Sequence, residues 1–145
     1  MKGIDSKKKR IYKKPGVTVD AVVEVDYKIL LIKRKNAPYK GKWALPGGFI
    51  EYGESAEDAV KREVFEESSL KIEITGLIGV YSDPGRDPRG HVISICFRAK
   101  GRGKEKSGSD AMDARLFKLD EALKEDLAFD HEKILRDYMG WINVL

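Results

Sequence analysis

The segment SAEDAVKREVFEESSL, residues 55–70, has the composition of a helix but carries acid where its buried stripe should be. At about 100° per residue, Ala56, Ala59, Val60, Val64 and Leu70 share one arc of roughly 140°. Glu63 and Glu67 fall near the middle of that arc, and Glu66 lies at its edge. Ser55 is the expected N-cap, with Asp58 three residues on in place of the usual Glu. An unpartnered carboxylate is costly to bury, and three close together repel one another. A hard divalent cation resolves both problems. Carboxylate oxygens suit magnesium or manganese, ions that keep water ligands and bind phosphates. The rival reading is a helix end on a rim, its acids solvated and paired to Lys61 or Arg62.

Just upstream, Gly48 and Glu54 extend the pattern. With Arg62, Glu63, Val64, Glu66, Glu67 and Leu70 they give G-x5-E-x7-R-E-V-x-E-E-x-x-L. This resembles the Nudix box, a loop–helix–loop signature, and Lys42–Phe49 resembles the segment that enters it. The family expects glycine where this chain has Ser69, a position that serves the turn after the helix. The likeness runs from about Val17 to Leu123. It implies an α/β fold: a Nudix α/β/α sandwich around a mixed sheet, with a loop–helix–loop metal site. It also implies metal ligands at Glu63, Glu66 and Glu67, joined by a backbone carbonyl of Gly47 or Gly48, where glycine permits close approach. Glu54 and Arg62 are expected to pair, with Arg62 orienting a carboxylate.

Nudix enzymes split a phosphoanhydride in a nucleoside diphosphate derivative, using Mg2+ or Mn2+ to activate water. No covalent nucleophile is needed. A general base is expected from the box (Glu66, Glu67) or from a later loop. There Asp110 is the first candidate and Glu105 its rival. After the box, Pro84 and the run Arg86-Asp87-Pro88-Arg89-Gly90-His91 resemble Nudix enzymes that hydrolyse ADP-ribose to AMP and ribose 5-phosphate. Arg86 and Arg89 are the expected contacts to diphosphate or phosphoribose oxygens, with His91 beside them. A rigid turn with an internal Arg–Asp pair is the alternative. The enzyme runner-up is an oxidised nucleoside triphosphate pyrophosphohydrolase. A different class is a non-catalytic ADP-ribose sensor that regulates transcription. Such regulators carry a C-terminal DNA-binding module, for which the roughly 20 residues after Leu123 are too few.

The remaining segments fit one α/β domain over residues 15–145. Alternating Val17–Val25 and the run Lys28–Arg34 read as strands joined at Asp26-Tyr27. Ile72–Tyr81 and His91–Lys100 read as two more, joined by a structured turn. Residues 101–109 look mobile, followed by a short strand at Ala114–Lys118. Asp120 is the expected cap of a short helix through Leu123, and Asp130 of a last helix with Ile134, Leu135, Tyr138 and Met139 on one face. The net charge of +4 belongs to the N-terminus: residues 1–14 hold seven Lys/Arg and one acid, leaving 21 basic and 23 acidic residues elsewhere. A solvated tail is expected there, and no nucleic-acid partner for the slightly acidic body. No apolar run approaches membrane-helix length, so no membrane partner is expected. The single Cys96, in an apolar run, is expected to be a buried thiol, compatible with a cytoplasmic location. His131 is expected to face solvent. Related enzymes are often dimers, which makes a homodimer an expectation.

Overall fold

The computed structural model describes residues 13–108 and 111–143. Asp110 and nearly all of the basic N-terminal stretch lie outside the described residues. Strands β1 (Gly16–Val25) and β2 (Lys28–Arg34) form a hairpin. Its two turn residues, Asp26 and Tyr27, have φ of 50° and 64°. This is the left-handed pair whose twist matches the flanking strands. Short strands β3 (Trp43–Ala44) and β4 (Gly47–Phe49) lead to helix α1 (Ala56–Ser68). Then come β5 (Lys71–Tyr81), β6 (Val92–Arg102), β7 (Ala111–Lys118), α2 (Leu119–Leu123) and α3 (His131–Asn143). The sheet order is β3-β2-β1-β6-β5, with β4 pairing β1 and β7 pairing β2. β1 and β6 run parallel and every other pair antiparallel, so the sheet is mixed, as expected.

The alternation in β1 reports two buried faces. Val19, Ala21 and Val23 pack with Val60, Val64 and Leu70 under α1. Val22 faces the other way, with Leu31, Cys96, Ile134, Leu135 and Tyr138 under α3. Both faces of the strand are therefore dry, and the polar residues Thr18 and Asp20 are buried with it. β1 pairs with β2 at Glu24 and Val25, but with β4 at Thr18, Val19 and Asp20. This change of neighbour brings Asp20 directly opposite Gly47.

The helix begins as read: the Ser55 hydroxyl accepts from the Asp58 N–H at 3.0 Å. It ends at Ser69, whose φ of 66° is the left-handed conformation that glycine adopts most easily. Three expectations change. Glu66 is an exposed residue, so only Glu63 and Glu67 of the three acids turn inward. Of the 101–109 stretch, the described part is pinned, because residues 101 and 102 extend β6 and the Lys106 N–H donates to the Ser68 carbonyl at 2.7 Å. α2 is capped by Lys118, whose N–H donates to the Glu121 carboxylate, so Asp120 lies inside the first turn.

Candidate active site

Arg62 organises the acidic wall. Its Nε donates to Glu54 Oε2 at 2.7 Å and its Nη2 to Glu54 Oε1 at 2.9 Å, a bidentate pair. Nη1 donates to Glu63 Oε2 at 3.0 Å and to Glu66 Oε1 at 3.2 Å, and Nη2 reaches the Phe49 carbonyl at 3.2 Å. One guanidinium thus fixes three carboxylates and the loop entering the helix. Its hydrogen bonds hold the Glu54 carboxyl down at about 2. Glu67, which is buried, accepts from the Gly47 N–H at 3.0 Å. A Cβ on Gly48 would collide with the Glu63 carboxylate, and one on Gly47 with Asp20 and the Val19 carbonyl. The two glycines are needed here for close approach of backbone to side chain.

These groups open onto a cleft of about 420 Å³. Glu63 and Glu67 line it together with the guanidinium-bearing Arg34, Arg86 and Arg89. Arg86 is clamped to Asp130 by two bonds of 2.8 and 2.7 Å, and Arg89 to Asp87 by bonds of 3.1 and 2.7 Å. Arg89 also lies 5.1 Å from the ring of Phe49 and 5.5 Å from that of Phe129, and Arg34 shares Phe129 at 5.1 Å. Deeper in the cleft Asp20 accepts a hydrogen bond from the Ser94 hydroxyl. Burial pushes the Asp20 carboxyl up to about 7 and the His131 imidazole down to about 3.

A model of the NUDIX domain matches residues 14–138. The chain belongs to the Nudix family. It is 57% identical over 140 residues to an ADP-ribose pyrophosphatase of Methanocaldococcus jannaschii, an alignment covering 96% of this chain and 82% of that one. It is 31% identical to an ADPR-responsive transcriptional repressor of Acinetobacter baylyi, covering 91% of this chain and 56% of the repressor. Among solved structures, the NUDIX domain of Shewanella oneidensis NrtR complexed with ADP ribose superposes with a TM-score of 0.82. The identity there is 28%, covering 98% of this chain and 99% of that one.

In this Nudix chain the box residues come together as the spacing implies: Glu54 with Arg62, and Glu63 and Glu67 beside Gly48 and Gly47. The all-oxygen donor set, packed against glycine backbone, fits a hard divalent cation. Glu66 joins through Arg62 from the exposed side. Glu105, the rival loop base, is half-buried in the loop after β6. Arg86 and Arg89 both line the cleft, and Arg89 forms the internal Arg–Asp pair held open as the alternative. His91 stands outside the lining: it is exposed, and its Nε2 meets the Ser82 carbonyl at 3.0 Å. His131 is the clearest correction. It is buried, and its Nδ1 accepts from the Leu45 N–H at 3.0 Å, because α3 starts beneath the cleft rather than at the surface. Reasoning from sequence also missed Arg34, Phe49, Phe129 and Asp20. Only Asp20 leaves a trace, as a carboxylate inside the apolar run of β1.

Proposed function

We propose that this Nudix protein is a pyrophosphatase that hydrolyses ADP-ribose to AMP and ribose 5-phosphate. The observation that carries the reading is the cleft itself, which gathers the box carboxylates Glu63 and Glu67 and three guanidinium groups in one volume. A diphosphate flanked by two sugars needs charge on more than one side, and ADP-ribose has that form. Glu63, Glu66, Glu67 and a carbonyl of Gly47 or Gly48 would hold Mg2+ or Mn2+. The bound metal supplies neutralisation of diphosphate oxygens and a more acidic attacking water. Arg62 keeps the carboxylates in register and contributes no proton, since its bond to Glu54 raises its pKa further. Arg89, immobilised by Asp87 and two rings, and Arg34 present positive charge to the diphosphate or phosphoribose oxygens at little entropic cost. Asp110 takes the proton of the attacking water, with Glu105 and the box glutamates as the alternatives. Water attacks one phosphorus, the P–O–P bridge breaks, and each half leaves with one phosphate.

Likeness to an ADP-ribose-responsive repressor favours a second reading, a sensor that binds without cleaving. The intact Arg62–Glu54–Glu63–Glu66 network and the higher identity to a pyrophosphatase favour catalysis. The test is kcat/KM with product analysis for ADP-ribose, 8-oxo-dGTP and diadenosine polyphosphates on one preparation with magnesium. ADP-ribose should be the best substrate and yield AMP. A preference for 8-oxo-dGTP would move the assignment to nucleotide clean-up. Binding of ADP-ribose without turnover would favour the sensor.

A further inference from the structure

At the floor of the cleft lie two polar groups that the chemistry above leaves unused. The side chains of Asp20 and His131 are 10% and 4% exposed, and both line the cleft. Because His131 Nδ1 accepts the Leu45 N–H, the ring proton of the neutral imidazole sits on Nε2. That Nε2 lies 3.7 Å from Asp20 Oδ1, too far for a hydrogen bond. Asp20 Oδ2 is taken by the Ser94 hydroxyl. One acceptor, Asp20 Oδ1, and one donor, His131 Nε2–H, therefore stand side by side without hydrogen-bond partners among the described residues. Buried polar groups left in that state cost stability, and they are commonly completed by a ligand.

Their surroundings are those of a flat ring. Ile32 and Leu45, both buried and apolar, line the same cleft. The ring of Phe129 lies 5.3 Å from that of His131, at an angle of 40°. Apolar walls with a few convergent polar groups are what a heteroaromatic ligand needs. We propose that Asp20 and His131 read the edge of the adenine base, with Asp20 Oδ1 accepting from the N6 amino group and His131 Nε2–H donating to the neighbouring ring nitrogen. Adenine offers that donor–acceptor pair, whereas guanine and hypoxanthine carry the acceptor O6 where Asp20 requires a donor. The inference rests on the proposed ADP-ribose reading and deepens it. It makes the site selective for the base as well as for the diphosphate.

The experiment is equilibrium binding of AMP and of IMP, its hypoxanthine counterpart, by calorimetry on the full chain with no metal added, at about pH 8, above the value of about 7 to which burial raises Asp20, so that both carboxylate oxygens accept. AMP should bind about tenfold or more tightly than IMP, the scale of one well-placed polar contact. Purine riboside monophosphate, which lacks the amino group, should fall with IMP. In D20N the amide supplies a donor to O6, so the preference should shrink about fivefold or more, with AMP weakened and IMP not. Equal affinity for AMP and IMP on the unaltered protein, within about twofold, overturns the proposal. So does an equal loss of both ligands in a folded D20N. If D20N fails to fold, the three-nucleotide comparison on the unaltered protein decides alone. Failure of ADP-ribose hydrolysis is a separate outcome. A chain that discriminates AMP from IMP but does not cleave ADP-ribose keeps the base-reading floor and loses the proposed reaction.

Discussion

Along the acidic wall, Arg62 spreads its donors over Glu54, Glu63 and Glu66, side chains that remain between 15% and 44% exposed. At the floor, Asp20 and His131 are shut away from water. The consequences are opposite. At the wall, the bonds to Arg62 hold the Glu54 carboxyl down at about 2 and therefore charged. Burial at the floor favours the neutral forms, raising Asp20 to about 7 and lowering His131 to about 3. Water access decides the difference, because desolvation outweighs Coulomb attraction only where the groups are fully enclosed. The wall suits cation binding and the floor suits recognition of neutral polar groups.

Wall variants should lose turnover and keep stability, while floor variants should lose stability and selectivity for the base. The largest expected effect is on the wall. Glu67→Gln should cut turnover on the order of 10³-fold, about 4 kcal/mol in the barrier, through lost electrostatic stabilisation. Its melting temperature should stay near that of the unaltered protein. Near-normal turnover in that variant removes Glu67 from the metal site. Next, Arg86→Ala strips Asp130 of a part-buried bidentate partner and should cost about 1.5–3 kcal/mol in denaturant unfolding. A loss below about 1 kcal/mol would show that the clamp is not structural and would blur the comparison.

Smaller effects sharpen the contrast. Arg62→Lys keeps the charge but loses the fork that holds three carboxylates. Metal affinity, read by titrating activity with manganese, should weaken about 10- to 100-fold. Unchanged affinity would mean that the carboxylates orient without it. The smallest effect is a pH dependence. Asp20, with its folded pKa raised from 3.8 to about 7, contributes stability at low pH that is lost as pH rises through that window. His131, lowered from 6.5 to about 3, contributes stability at high pH that is lost as pH falls through its own window. Each tilts stability by up to about 1.4 kcal/mol per pH unit, with opposite sign. Between pH 4 and 6.5, roughly, the two offset each other and the unaltered protein should melt at nearly constant temperature. Asp20→Asn should unmask a fall in melting temperature as pH drops, and His131→Gln a rise. Flat profiles in both variants would contradict the buried floor.

The wall was legible in the sequence because its parts lie close along the chain. Gly47, Gly48, Glu54, Arg62, Glu63 and Glu67 span one loop and one helix, and helical periodicity alone brings Glu63 and Glu67 onto the buried arc. Even there, Glu66 needed the structure, since its place at the edge of the arc did not say on which side of the rim it would lie. The strands, the two-residue hairpin and the Ser55 cap were equally local, fixed by alternation and by backbone chemistry. The floor was not legible. His131 meets Leu45 across 86 positions, Asp20 meets Ser94 across 74, and Arg86 meets Asp130 across 44. No periodicity links residues so far apart. The sheet register that brings Asp20 opposite Gly47, and the packing that seats α3 beneath the cleft, decide which polar residues are enclosed. Order along the chain carried the family, the box helix and the inward turn of Glu63 and Glu67. Only the tertiary structure decided that His131 is buried rather than solvated, because burial depends on which surfaces meet and not on the order of residues within any one of them.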